Sequence, residues 1–239
     1  HATSHTLCAH HANWKYMASV LPFCIDDVHN NVYFLLSREA CNPPWADSGM
    51  YADFGGSKSS SDPDSAATAA REFHEEGNRR IPFGFVPLDT LPRAHGERGW
   101  VDIAESLRAG AYTARFDFRS DNGAWSYTTY LKQVPFLRSL SEDFENAYIE
   151  AIADPESSSV YTEKDAVSWV STERLLSLAT SSSSRGGIQL RPHFKRRIVL
   201  ILREFPWAKR IGTPKSNAER FRKDWSTQDM QQQWIICTS

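Results

Sequence analysis

Three carboxylates, Glu72, Glu75 and Glu76, sit in the hexapeptide Arg71-Glu72-Phe73-His74-Glu75-Glu76 at spacings of i, i+3 and i+4. On a helix that spacing brings all three to one face. Grouped like charges oppose folding unless a cation offsets them, and an oxygen-rich cluster suits a hard divalent ion, Mg2+ or Mn2+. Arg71 precedes the cluster and, as a helix neighbour at i+4, orients Glu75 by an ion pair. Twenty residues upstream, Tyr51-Ala52-Asp53-Phe54-Gly55-Gly56 reads as a strand ending in a glycine pair. Gly55 and Gly56 let the chain turn sharply and bring backbone close to a bound group.

These residues need a helix to carry them, and the sequence supplies one. Asp62-Pro63-Asp64-Ser65 is a start signal, with Asp62 as cap, Pro63 in the first helical position and a further acid in the first turn. Ala66, Ala69, Ala70, Phe73 and Gly77 form a small apolar stripe on the opposite face, suited to close packing on a sheet. The expected unit is strand, glycine pair, polar loop, capped helix and acidic face.

The rest of the chain has the periodicities of a mixed fold. Residues 17–25 and 32–38 read as a strand hairpin, with Pro22 marking an edge or bulge. Residues 101–109 read as a short helix closed by Gly110. Residues 112–118 and 125–136 flank Asp121-Asn122-Gly123, a hairpin turn signal. Residues 142–153 form an amphipathic helix with Phe144, Ala147, Tyr148 and Ile152 inward and Glu145 and Glu150 outward. Residues 161–170 read as a strand running into the capped helix start Ser171-Thr172-Glu173. The serine run within 179–187 is a loop. Residues 190–204 form a basic helix with Phe194, Ile198, Val199, Ile201 and Leu202 apolar. The organisation expected is an N-terminal extension over 1–15, one domain over 16–205, and a basic, aromatic extension over 206–239.

The arrangement around Gly55 to Gly77 resembles the box of the Nudix hydrolase family: a glycine, an early glutamate, then Arg-Glu, an apolar residue, any residue and Glu-Glu. Arg71 to Glu76 matches it. Counted back from Arg71, the early glutamate falls at Pro63, with Asp62 and Asp64 beside it. The loop from Gly56 is one residue longer than usual, and Gly77 stands one place early. A second segment in the expected order, an acid before Val167-Ser168-Trp169-Val170 and Ser171-Thr172-Glu173-Arg174-Leu175-Leu176, is similar to the later part of the same family. The resemblance implies an α/β (α+β) fold, a mixed sheet sandwiched between helices. It implies cleavage of a diphosphate linkage in a nucleoside diphosphate derivative, with Mg2+ on Glu72, Glu75 and Glu76; Glu163, or in second place Asp165, is the added carboxylate. His74 falls at a variable, surface position, and Lys58 is a point charge for phosphate.

Composition sets outer bounds. The chain has 239 residues, 41% apolar and 23% charged, with a formal net charge of −2. No global field points to nucleic acid or membrane, and no apolar run reaches spanning length. Cys8, Cys24, Cys41 and Cys237 form no metal pair and read as free thiols of a reducing, intracellular compartment, cytoplasmic or mitochondrial. The histidines and cysteine of the first eleven residues fit no zinc spacing and read as a polar tail. The start at His1 is consistent with a removed targeting peptide or a trimmed chain. There is no serine-nucleophile elbow and no phosphate-cradling Gly-Lys-Ser/Thr loop. The resemblance implies three functions: a hydrolase of small nucleotide derivatives, a hydrolase of RNA 5′ ends guided by the basic aromatic tail, and a catalytically weak or inactive subunit of an organellar, RNA-associated or ribosomal assembly. In the last, the terminal extensions bind protein.

Overall fold

A computed structural model of the chain describes residues 15–26, 31–41, 46–83, 99–120, 123–154, 159–181 and 187–204. The expected N-terminal tail, the basic aromatic C-terminal extension, most of the serine run and Asp121-Asn122 lie outside them. The strands are β1 (Lys15–Asp26), β2 (Asn31–Glu39), β3 (Tyr51–Ala52), β4 (Phe54–Ser57), β5 (Ala114–Arg119), β6 (Trp125–Gln133) and β7 (Lys164–Ser171). The helices are α1 (Ser65–Glu76), α2 (Gly99–Arg108), α3 (Leu140–Ala153), α4 (Thr172–Thr180) and α5 (Pro192–Glu204). A short 3-10 turn, Ser159–Thr162, precedes β7.

The seven described strands join one mixed sheet in the order β3-β2-β1-β6-β5, with β4 added to β1 and β7 to β2. Both faces are covered, as the apolar run Val20-Leu21-Pro22-Phe23 requires, since a strand buried on two sides cannot alternate with polar residues. On one face Leu21, Phe34, Leu36 and Phe118 meet Leu175 of α4 and Phe194, Ile198 and Ile201 of α5. On the other, Ala18, Val20, Leu35 and Phe54 meet Ala66, Ala69, Ala70 and Phe73 of α1, Leu107 of α2 and Phe144 of α3. The sheet sandwiched between helices is the fold class expected from the sequence.

Pro22 is no edge marker. β1 is central, running parallel to β6 along its length. Its other side pairs β4 at residues 17–20 and β2 at residues 23–26. Leu21 and Pro22 fall at the changeover, where a missing N–H breaks no ladder on that side. The single strand expected before the glycine pair is two: β3 pairs β2 and β4 pairs β1, with Asp53 at the junction. Tyr161 belongs to the 3-10 turn rather than to β7. In α3, Phe144 and Ala147 are buried as expected, but Ile152 is 58% exposed, because α3 packs chiefly on β7 through one narrow stripe.

Candidate active site

The acidic helix begins one turn-fragment later than its start signal suggests. Asp64, not Asp62, is the cap: its backbone is extended and its Oδ1 accepts the Ala67 N–H at 2.8 Å. Pro63 therefore lies before the helix. Asp62 turns inward instead, only 2% exposed, and accepts from Ser59 N at 2.9 Å and Arg71 Nη2 at 3.1 Å. Burial works against its charge, but the bonds from Arg71 and Ser59 outweigh it and hold its pKa below the ordinary carboxylate value. Asp62 thus stands six residues after Gly56 and nine before Arg71, inside the polar loop. The carboxylate that Pro63 lacks is supplied to Arg71 by its neighbour Asp62.

Arg71 ties the site together. Nη1 donates to Glu75 Oε2 at 2.9 Å, and Nη2 to Glu72 Oε1 at 2.9 Å, Asp62 Oδ2 at 3.1 Å and the Ser57 carbonyl at 3.0 Å. The expected i+4 pair is present, within a wider clamp that also reaches the loop after β4. Phe73, on the far side of the helix, packs edge-on against Phe54 at 5.5 Å between centroids and fixes α1 on β4. His74 meets α2 rather than open solvent: a side chain at Gly99 would lie 2.7 Å from its Nε2.

The two glycines act differently. The Gly55 N–H donates to Glu76 Oε2 at 2.6 Å, and a Cβ on Gly55 would collide with the Ser19 side chain opposite it on β1. A Cβ on Gly56 would lie 2.6 Å from Glu72 Oε1, so only glycine leaves the Glu72 carboxylate against the β4 backbone.

Glu76 is buried, and its Oε1 meets Lys164 Nζ at 2.8 Å. Lys164, 2% exposed, also bonds Glu39, which receives Arg191 Nη1 at 2.7 Å. Burial works against the ammonium, but Glu76 and Glu39 outweigh it, and the Lys164 pKa lies above the ordinary lysine value. Burial raises the pKa of Glu76 despite Lys164, with Glu72 and Glu39 adding to the rise. Glu72 is raised for the same reason, offset by Arg71 and reinforced by Glu75 and Glu163. Burial also raises Glu163, which feels the charges of Glu39, Glu75, Arg71 and Lys164. Its place just before β7 puts it at the rim of this cluster.

Lys164, Glu39 and Arg191 were not apparent in the sequence as members of the site. Only the position of Lys164 beside Glu163 hinted at it. Arg197 and Asp53 were missed as well. Arg197 binds both Asp53 oxygens at 2.8 Å and Thr129 Oγ1 at 2.7 Å behind the glycine strand, with its guanidinium 3.5 Å from the Tyr127 ring centroid. A signal existed, since Arg197 lies at i+3 from Phe194 and i−4 from Ile201 on the apolar stripe of α5. Lys58 donates to the Pro63 carbonyl at 3.3 Å and lines a cleft of about 280 Å³ with Tyr16, Ser65, Thr68, Arg115 and Thr128. Thr68 lies one helical turn before Glu72 on the same face.

Among the described residues, no three His, Cys, Asp or Glu side chains converge as a ready cage for an ion. The carboxylates turn instead onto Arg71, Lys164 and the Gly55 amide. The donor chemistry nonetheless fits a hard divalent cation. Among the described residues, Glu39, Asp62, Glu72, Glu75, Glu76 and Glu163 are opposed by Arg71, Lys164 and Arg191, and burial leaves the charges of Glu72 and Glu76 undersolvated. The described cysteines, Cys24 and Cys41, are free thiols as expected, and burial pushes Cys24 up to about 11.

No protein-family model matches this chain, and neither does any curated protein. Among solved structures, it is similar to the NUDIX domain of Shewanella oneidensis NrtR complexed with ADP ribose, at 11% identity, covering 83% of this chain and 88% of that one with a TM-score of 0.39. It is also similar to a C. elegans Ap4A hydrolase, at 14% identity over 80% and 99% of the two chains, TM-score 0.38. A third is the C-terminal domain of mouse MUTYH in complex with human PCNA, at 10% identity over 79% and 89%, TM-score 0.37. Likeness at this level carries no argument about activity.

Proposed function

We propose that the chain is a Nudix-type hydrolase that cleaves the diphosphate linkage of a nucleoside diphosphate derivative with Mg2+ or Mn2+ as cofactor. The observation that carries this reading is the Arg71 clamp. One guanidinium gathers Asp62, Glu72 and Glu75, while Glu76 is held separately by the Gly55 amide and Lys164. A solvated acidic helix face would not bury two of its glutamates or wire them to a strand backbone.

Glu72, Glu75 and Glu76 would hold the cation, with Glu163 at the rim. A cation bound there would neutralise diphosphate charge and polarise phosphorus toward in-line attack by water. The chain's own part is to fix the carboxylates before substrate arrives and to accept the proton of the attacking water. Glu163, at the rim, is the carboxylate left for that step, its pKa raised by burial. The polar cleft beside Lys58 and Thr68 is positioned to receive a phosphate or the group attached to it.

The test is a panel of nucleotide sugars, dinucleotides, nucleoside triphosphates, triphosphate-ended RNA and capped RNA, each incubated with Mg2+ and scored for nucleotide products. Glu76→Gln preserves shape and should lower kcat by about 10²- to 10⁴-fold. Unchanged turnover in that variant would remove Glu76 from the mechanism. A folded wild-type chain inert across the panel, and bound to a stable partner, would support the non-catalytic subunit instead.

A further inference from the structure

We infer that Lys164 is a positioning residue for the metal-holding carboxylate Glu76, which rests on the metal-site reading above. Glu76 is pinned from two strands. Its Oε2 accepts the Gly55 N–H of β4 at 2.6 Å, and its Oε1 accepts Lys164 Nζ of β7 at 2.8 Å. Two donors on the two oxygens fix both the place of the carboxylate and the rotation of its plane. Lys164 is itself anchored. Its ammonium bonds Glu39, Glu39 takes Arg191 Nη1 at 2.7 Å, and Arg191 also holds Asp47 at 2.9 Å.

The backbone is shaped to make this contact. Along β2 and β7 the register runs evenly from Tyr33 with Ser171 to Arg38 with Ala166, then shifts, so that Glu39 faces Lys164. Asp165 is the extra residue and turns away to bind Arg38 Nε at 2.6 Å. Even pairing would set the Asp165 carboxylate opposite Glu39 and add acid to acid. The bulge instead brings in an ammonium. Bulges re-aim side chains in this way beside functional sites.

Charge alone does not account for a buried lysine here. An ammonium in contact with Glu76 repels a divalent cation, so as a bystander it weakens metal binding. As a positioning group it strengthens binding by holding the ligand in place, as outer partners of metal ligands do. The two roles predict opposite signs.

Mn2+ affinity measured by electron paramagnetic resonance on the folded wild-type chain decides between them, using Lys164→Met and the double variant Lys164→Met/Glu39→Met. The double variant leaves the local net charge unchanged and leaves Arg191 on Asp47. Replacing both members of a buried pair is also milder than removing one, so it stands as the readout if the single variant does not fold. Both variants should bind Mn2+ about tenfold more weakly, with kcat reduced and KM within about twofold of wild type. Unchanged or tighter Mn2+ binding in the double variant overturns the proposal while leaving the metal site intact. A wild-type chain that binds no Mn2+ overturns the metal-site reading and the role of Lys164 together.

Discussion

Arg71 spends its guanidinium on three carboxylates and a carbonyl, a task that needs a planar fork with several fixed donors. Lysine offers a point charge in its place and cannot span Asp62, Glu72 and Glu75 together. Arg71→Lys should therefore keep the fold and net charge yet lower kcat by about 10- to 100-fold, with a lower melting temperature. Circular dichroism alongside steady-state kinetics checks both, and wild-type kcat would show that the clamp is dispensable. Asp62 shows how far a motif can be read at this scale. Helical spacing counted back from Arg71 points to Pro63, but the carboxylate that meets Arg71 is Asp62, because the chain between them is partly loop. Spacing in a sequence locates a side chain only where the intervening backbone is regular, and this loop is not.

Strand β4 carries two glycines with separate duties. Gly55→Ala would drive a Cβ to 2.3 Å from Ser19 Cβ and 2.6 Å from the Ala18 carbonyl, against a strand that cannot yield. It should cost at least about 1–3 kcal/mol of stability, as overpacking does, visible as a lower urea midpoint. Gly56→Ala first meets the end of the Glu72 side chain, which can swing aside. It should leave the urea midpoint nearly unchanged but weaken Mn2+ binding, and equal effects of the two variants would refute this division of labour. The elements themselves were largely legible. Small residues at helical spacing marked α1, and the apolar positions named for α5 are all buried. What escaped was decided by partners far away in sequence. Pro22 is tolerated because β1 changes neighbours at that point, and β3 separates from β4 because each pairs a different strand.

Across the whole molecule, α5 is joined to the sheet by buried charge. Arg197 and Asp53 are 3% and 2% exposed, and their pair lies directly beneath the glycine strand. Arg197→Met would strand the Asp53 carboxylate in the core and should cost about 3–5 kcal/mol. Adding Asp53→Leu should recover part of that loss, and a double variant no more stable than the single one in urea would count against a buried-charge penalty. The sequence carried the layers and the acidic helix, but not this joint, because a charged residue on an apolar stripe announces burial without naming its partner. The joint also sets a schedule. Arg197 and Asp53 are 144 positions apart, and Arg191 and Glu39 are 152 apart. A ribosome delivers the glycine strand and the acidic helix long before it delivers α5. During synthesis the strand beneath the carboxylates waits for the guanidinium of its aspartate, and the site reaches its final form only when α5 emerges and docks.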